Sequence, residues 1–131
     1  MRVPLSDPML PQRCRVQRMR REIPDTFTLE LEPEEGGDIP QFATGQFNML
    51  YVFGVSETPI SISGDPAKRK PLVHTTRAVG KVSSAMRDLK PDDVIGVRGP
   101  FGSHWPIKQA VGKDIVIAEG GIGLVPLRSV M

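Results

Sequence analysis

The chain has 131 residues, enough for one domain and too few for a second complete domain beside it. Hydrophobic residues make up 39% of the chain, so a core can form, but aromatic residues make up only 5%, which leaves little for base stacking. The formal net charge of +2 also argues against a strongly basic nucleic-acid binder. We therefore expect no nucleic-acid partner.

The cysteine content and the hydropathy exclude further classes. Cys14 is the only cysteine, so this chain alone cannot build a disulfide framework or a multi-cysteine metal centre, and no metal site is predicted. It has no apolar run of about 18 residues, so no membrane span is expected. Residues 1–12 hold three prolines and predict an extended arm rather than a signal peptide. The chain is expected to be cytoplasmic.

Short apolar runs between turn residues predict a β-rich fold, with Gly and Pro numbering 13 each. Phe27, Leu29 and Leu31 alternate with polar residues, which is typical of a half-buried strand. Helical spacing of Val82 and Met86 predicts one helix over residues 80–89. The predicted strands cover residues 13–21, 26–32, 47–53, 59–63, 72–77 and 94–98. Antiparallel strands in this number predict a small closed barrel or a sandwich.

The C-terminal segment differs from the rest. Residues 115–118 form a continuous apolar run, which predicts a parallel strand buried on both faces. A glycine turn, Gly120-Gly121-Ile122-Gly123, follows it directly, in the position where open α/β sheets bind dinucleotide pyrophosphates. We therefore expect residues 111–131 to be the truncated start of a nucleotide-binding domain. Packing against the same chain, a second copy or a partner subunit would order it.

Two further segments could bind a ligand. Gly80-Lys81-Val82-Ser83 opens the predicted helix, where free backbone N–H groups, a cation and a hydroxyl would suit a phosphate. The alternative is a plain glycine turn with Ser83 facing solvent. Residues 59–63 form an alternating strand that places Ser61 and Ser63 on one face. These serines could donate to a planar polar ring, or they could form the wet face of an antiparallel strand.

In their order and spacing these segments resemble the ferredoxin–NADP reductase superfamily. Within it they are similar to the flavin (gamma) subunits of cytoplasmic hydrogenases and sulfhydrogenases and to the electron-transfer subunit of dihydroorotate dehydrogenase. The resemblance extends from about residue 13 over nearly all of the remaining chain. The segments that carry it are residues 24–29, 45–47, 59–63, 79–83, 96–102 and 120–123.

The resemblance implies an all-β fold: a six-stranded antiparallel Greek-key β-barrel over residues 13–110 that binds FAD, with FMN less expected. One helix belongs to this barrel, and the first strand and glycine turn of a Rossmann-like domain follow it over residues 111–131. A complete family member would also bind NAD(P)H. The implied cofactor-binding residues are Pro59, Ile60, Ser61, Val73, Thr75, Thr76, Gly80, Lys81, Val82, Ser83, Gly121 and Gly123. No catalytic residue is implied.

Within this set, Ser61 falls on the serine of the family's Arg-x-Tyr-Ser motif, which places it near flavin N5. Thr58 and Ile60 stand where that motif has arginine and tyrosine. Residues 80–83 match the pyrophosphate segment. The basic turn Lys68-Arg69-Lys70 could supply the missing cation, or it could simply be an exposed turn.

The implied function is a flavin-binding electron-transfer module of an NAD(P)H-linked oxidoreductase, with iron–sulfur and hydrogenase-type subunits of a hetero-oligomer as partners. Self-association through the C-terminal strand is the other partner prediction. The departures at Thr58 and Ile60 leave open a non-catalytic module that docks partners without flavin. With most of the nicotinamide domain missing, turnover by this chain alone is not expected. His74 has no second metal ligand at suitable spacing and is predicted to be a strand residue.

Overall fold

The computed structural model describes residues 9–131, and the strands within that range form one antiparallel sheet in the order β4-β3-β6-β1-β2-β5. The strands are β1 (Gln12–Ile23), β2 (Thr26–Pro33), β3 (Phe47–Val52), β4 (Ser56–Ser61), β5 (Leu72–Arg77) and β6 (Val94–Phe101). The helices are α1 (Lys81–Arg87), α2 (Ile107–Ala110) and α3 (Leu124–Arg128), and a 3₁₀ turn covers Gly121–Gly123. The predicted all-β fold is confirmed. Residues 1–8 of the predicted arm lie outside the described residues.

The alternation of apolar and polar residues decides which faces of the strands are buried. In β2, Phe27, Leu29 and Leu31 are at most 1% exposed, as the period-2 pattern predicted. β3 buries Leu50 and Val52 in the same way. Because β6 lies between β3 and β1, the chain crosses over between strands that are distant in sequence, as expected for a Greek key.

The sheet has two edge strands, β4 and β5, which meet at one place. Beyond the end of β4, Ile62 forms an isolated antiparallel bridge with His74 of β5. The amide of Ser63 also donates to the carbonyl of Val73 at 3.0 Å. These contacts bring the two edges together, so that the sheet curves around its buried side chains.

Strand β4 begins and ends earlier than predicted, at Ser56–Ser61 rather than residues 59–63. Gly54, with φ of +84°, allows a tight turn, so the strand pairs with β3 from Ser56 onward. Pro59 lies inside β4 opposite Met49. An edge strand tolerates this proline because its missing N–H would face away from the sheet.

Helix α1 covers the core at the end of β5. Met86 is fully buried, and Val82, Ala85 and Leu89 pack around the same cluster. The helix ends at Arg87, earlier than the predicted residue 89, because Asp88 caps it. Cys14 packs into this core from β1, and burial raises the pKa of its thiol to about 11. This cysteine is therefore an apolar filler rather than a reactive thiol.

The prediction of a buried parallel strand at residues 115–118 is wrong. No strand forms there, and Ile115, Val116 and Ile117 are 57%, 92% and 40% exposed. A strand of this kind needs hydrogen-bonded neighbours and cover on both faces, and the described chain supplies neither. Helix α2, which was not predicted, lies just before this segment. Among residues 9–131, no helix has the length and hydropathy needed to cross a bilayer.

Gly99 in β6 provides a test of the packing inside the sheet. Its φ is +138°, and a Cβ there would collide with Oδ1 of the buried Asn48. We expect Gly99→Ala to lower the free energy of unfolding by about 3 kcal/mol, since it adds overpacking to backbone strain. The control, Gly54→Ala, has φ of +84° but open space around its Cβ, and should lose only about 1 kcal/mol. Urea unfolding measures both losses, and equal losses would contradict the predicted collision.

Candidate functional site

The end of β4, strand β5 and the start of α1 form one continuous region of the surface. Ser61 is the last residue of β4, and the next residue, Ile62, bridges to His74 in β5. Strand β5 ends at Arg77, three residues before Gly80, and α1 then packs back against β3 and β4. The structure therefore brings together three segments that the sequence singled out separately.

At the start of α1 the backbone is open to a ligand. Gly80 is extended, with φ of −134° and ψ of −178°, and a Cβ there would meet only Ser83 Oγ, at 3.9 Å. Among the described residues, no acceptor lies on the N–H groups of Lys81 and Val82, and the Lys81 side chain is exposed. These groups and the positive end of the helix could meet a phosphate.

The Ser83 side chain neither faces solvent nor presents a free hydroxyl to a phosphate, the two alternatives that the sequence left open. Its side chain is buried, and Oγ accepts hydrogen bonds from the amides of Val79 (3.0 Å) and Gly80 (2.9 Å). The same hydroxyl donates to the carbonyl of Gly80 at 3.3 Å. Ser83 therefore does not face solvent. Its hydroxyl fixes the shape of the turn, and the backbone of the turn remains open.

The two serines near the end of β4 do not share one environment. Ser61 is half-buried, and its hydroxyl has no partner among residues 9–131, so it is available to a ligand. Ser63 is buried, and its Oγ donates to the carbonyl of Val73 at 3.3 Å. Beside Ser61, Pro59 is exposed and Ile60 packs against the edge of the core.

Of the predicted cofactor-binding residues on strand β5, only some have side chains on the outer face of the sheet. Val73 and Thr75 are half-buried on the outer face, whereas Thr76 is buried on the inner face with Leu72 and His74. A side-chain contact from Thr76 to a ligand outside the sheet is therefore excluded by the alternation of the strand. Only its backbone can contribute there.

A row of hydroxyl groups continues from β5 to the neighbouring strand. Thr28 Oγ1 donates to Glu22 Oε1 at 2.8 Å, which helps to lower the pKa of that carboxyl. Because the single proton of Thr28 is used there, Thr75 Oγ1 donates to Thr28 at 2.7 Å. Val73 and Ser63 line a cavity of about 570 Å³ beside this row.

His74 lies at the centre of this region, although the sequence analysis did not predict it to be part of the site. It is fully buried in β5, Nδ1 lies 3.0 Å from the Ser61 carbonyl, and Nε2 lies 3.2 Å from Nδ2 of Asn48. Burial lowers the pKa of His74 from 6.5 to about 4, so the ring is neutral at pH 7. No sequence signal showed this, because the partners of the ring come from two other segments.

Position 58, where the family motif has an arginine, is Thr58 in this chain, so the positively charged side chains near the site come from other positions. Arg77, at the end of β5, has Nε 3.6 Å from Oδ2 of Asp25, and its Nη2 lies 3.8 Å from where a Cβ of Gly121 would be. Lys68 lines the same cavity as Val73. Arg77 was not selected from the sequence because nothing marks it off from other polar strand residues.

The arginine-rich strand β1 is a solvated, ion-paired face. Four of its arginines lie within 4.0 Å of carboxylates at Glu34, Glu30 or Glu22. These arginines are Arg13, Arg15, Arg18 and Arg20. Exposed pairs of this kind contribute little to stability, but they reduce the free positive charge that an acidic partner would need.

The C-terminal glycines do not form the predicted strand-to-helix turn. Gly121, with φ of +58°, and Gly123 lie in the 3₁₀ turn, but residues 114–120 directly before this turn form no strand. The indole Nε1 of Trp105 donates to the carbonyl of Pro126 at 3.3 Å and so holds the tail near the rest of the chain. Gly121 therefore lies beside Arg77, and neither glycine lies at the carboxyl end of a strand.

Two relatives share this sequence over most of its length. The gamma subunit of sulfhydrogenase 1 from Pyrococcus furiosus is 36% identical over 104 residues, which cover 79% of this chain and 36% of the relative. The electron-transfer subunit of a probable dihydroorotate dehydrogenase B (NAD(+)) from Methanocella arvoryzae is 34% identical over 119 residues, covering 91% of this chain and 42% of the relative. The chain thus spans well under half the length of these relatives. No protein-family model matches it.

Solved structures agree on the fold. Ferredoxin–NADP+ reductase from Plasmodium falciparum superposes with a TM-score of 0.73 and 18% identity over 92% of this chain and 51% of that one. The flavohem-like FAD/NAD-binding domain of nitric oxide dioxygenase from Vibrio cholerae superposes with a TM-score of 0.70 and 17% identity. The match covers 92% of this chain and 55% of that one. The chain has the fold of the ferredoxin–NADP reductase superfamily. The resemblance predicted from the sequence is confirmed: the chain is similar in sequence to a sulfhydrogenase gamma subunit and to a dihydroorotate dehydrogenase electron-transfer subunit.

The buried neutral His74 predicts a pH dependence of stability. The unfolded chain binds a proton at this residue below pH 6.5, whereas the folded chain does so only below about pH 4. The stabilisation is therefore complete above pH 6.5 and is lost as the pH falls to about 4, by about 3 kcal/mol in total. Urea unfolding between these pH values should show this slope. His74→Asn should remove the His74 part of the slope and leave only the part due to carboxylates such as Glu22, and the exposed His104→Gln should keep the full slope; a slope unchanged in His74→Asn would contradict the assignment.

Proposed function

We propose that FAD binds along the end of β4, the outer face of β5 and the start of α1, and that the chain is a flavin-binding electron-transfer module of an NAD(P)H-linked oxidoreductase. An example of such an oxidoreductase module is a hydrogenase or sulfhydrogenase gamma subunit. The proposal is supported by the superfamily fold and by the two relatives, which are named as a sulfhydrogenase subunit and as an electron-transfer subunit.

The observation that carries the proposal is the open turn at Gly80. Its extended backbone is one that any residue can adopt, and a Cβ would find no atom nearer than 3.9 Å. Neither backbone strain nor packing in the free protein therefore requires glycine at this position. A side chain there would instead occupy the space in front of the N–H groups of Lys81 and Val82, where a diphosphate would approach.

The roles of the remaining residues follow from where they lie. Lys81 supplies positive charge at the diphosphate, and Ser83 holds the turn in its open shape. Ser61 offers its unpaired hydroxyl to the flavin ring. Val73 and Thr75 lie along the ribityl and adenosine parts on the outer face of β5. A bound flavin supplies the redox chemistry, and the protein supplies its position.

NAD(P)H binding is not part of this proposal for the present chain. The resemblance implies it for a complete family member, but this chain covers only 36% and 42% of its two relatives. Gly121 and Gly123 lie in a 3₁₀ turn, and residues 114–120 directly before it form no strand.

The second candidate function is a non-catalytic assembly module that docks partners through its sheet without flavin. The observation in its favour is that Thr58 and Ile60 provide neither the cation nor the aromatic ring of the family motif. Purification with excess FAD distinguishes the two functions. A yellow protein with the visible absorption of oxidised flavin supports the first, and a colourless protein supports the second.

Partner subunits are the third element of the proposal. Both relatives are named as subunits, which supports a hetero-oligomer with iron–sulfur and hydrogenase-type subunits. The surface that would meet another chain is the apolar segment at residues 115–118, which borders a cavity of about 420 Å³ lined by Trp105, Ile107 and Leu127. A second copy of this chain is the alternative occupant.

The apolar segment makes a prediction about the isolated chain. Without a partner subunit it should self-associate at micromolar concentration, because Val116 is 92% exposed beside other apolar side chains. Light scattering should show a larger mass that Val116→Lys reduces to a monomer. The control, Ile23→Lys, changes another exposed apolar residue and should leave the mass unchanged. A monomeric wild type with residues 113–120 protected from hydrogen exchange contradicts the proposal.

Gly80→Val tests the proposed diphosphate site. The variant should unfold at nearly the wild-type urea concentration, because its Cβ meets open space. FAD binding, measured by quenching of flavin fluorescence, should weaken at least tenfold. The control is Gly36→Val, at a position remote from the site in sequence, where open space also surrounds the Cβ. Its FAD affinity should match the wild type despite the strain of a positive φ. Unchanged FAD affinity in Gly80→Val would show that the diphosphate lies elsewhere.

A further inference from the structure

The two edge strands of the sheet meet with few backbone hydrogen bonds. Strand β4 pairs with β3 and strand β5 pairs with β2, and the described residues just beyond β4 meet β5 through the isolated bridge of Ile62 with His74 and the bond from the Ser63 amide to the Val73 carbonyl. Ser61 pairs with Phe47 in the ladder between β4 and β3, which holds its backbone on that side, but no regular ladder holds it from the β5 side. The His74 side chain makes the missing connection, because Nδ1 reaches the Ser61 carbonyl at 3.0 Å.

The proton positions on His74 follow from its partners. A carbonyl oxygen only accepts, so Nδ1 carries the proton and donates it to Ser61. The lone pair is then on Nε2, which accepts from Nδ2 of Asn48 at 3.2 Å. His74 is 0% exposed and Asn48 is 3% exposed, so water does not compete for these bonds.

The ring is held from both sides. Oδ1 of Asn48 lies against Gly99, where no Cβ would fit, so the amide has little freedom to turn. A protonated ring would place two donors, Nε2–H and the Asn48 amide, against each other. The environment therefore keeps one tautomer and one orientation of the ring, with Nδ1–H aimed at Ser61.

We propose that His74 is a positioning residue: its Nδ1–H holds the Ser61 carbonyl and so fixes the Ser61 hydroxyl where the flavin ring binds, with Asn48 setting the tautomer. This inference rests on the proposed function, because the role of Ser61 does.

Three variants test the proposal. His74→Leu keeps an apolar side chain in the core but removes the donor. His74→Asn places an amide nitrogen at the same bond distance from Cα as Nδ1, so it can restore the donor. Leu72→Val is the matched control, because it trims another buried side chain of β5 that makes no contact with Ser61 through a hydrogen bond.

We expect His74→Leu to bind FAD about tenfold more weakly, the loss expected when a displaced Ser61 hydroxyl no longer makes one hydrogen bond to the flavin ring, and to shift the visible spectrum and the midpoint potential of bound FAD. His74→Asn should recover most of the affinity and the wild-type spectrum. Leu72→Val should lose stability but keep both properties. Without FAD, the Ser63 amide, which donates to Val73, should exchange at least tenfold faster in His74→Leu than in His74→Asn.

The outcomes separate this inference from the proposed function. If the wild type binds FAD and His74→Leu keeps its affinity, spectrum and potential, the inference is overturned and the flavin site stands. An effect of Leu72→Val equal to that of His74→Leu also overturns it, because general loosening of the core then explains both. If the wild type binds no FAD, the proposed function fails and the inference fails with it.

Discussion

The structure depends on how its two edge strands meet. The edges of the six-stranded antiparallel sheet come together at one place, through one bridge, one hydrogen bond from the Ser63 amide and the side chain of His74. The cost of burying the imidazole is offset because both ring nitrogens have partners. The same junction also fixes the start of the candidate site, so the stability of the sheet and the geometry of the site share one interaction.

The candidate site is built mainly from backbone. At the start of α1 the free groups are amides, and the one buried hydroxyl, that of Ser83, is used to hold the turn. Such a site does not depend on the arginine and tyrosine of the family motif, which Thr58 and Ile60 replace. Backbone donors are fixed by the fold and carry no side-chain entropy cost, which is why the proposed diphosphate site does not require those residues.

The C-terminal segment illustrates the opposite situation. Residues 115–118 have the composition of a buried strand, yet their apolar side chains are exposed in the described chain. Local preference favours an extended backbone there, but a strand also needs neighbours to pair with. The segment therefore has the composition of a buried strand but lacks, within the described residues, the hydrogen-bonded neighbours that a strand needs.

The sequence by itself determined the class of the fold and most of its elements. The alternation of Phe27, Leu29 and Leu31, like the helical spacing of Val82 and Met86, reflects local periodicity, which sequence carries directly. Motif order was enough to indicate the superfamily. The tertiary structure decided what depends on contacts between distant segments: the junction of β4 with β5, the partners of His74 and the inward turn of Ser83 and Thr76. It also decided that residues 115–118 form no strand, because pairing is a property of neighbouring segments and not of the residues themselves.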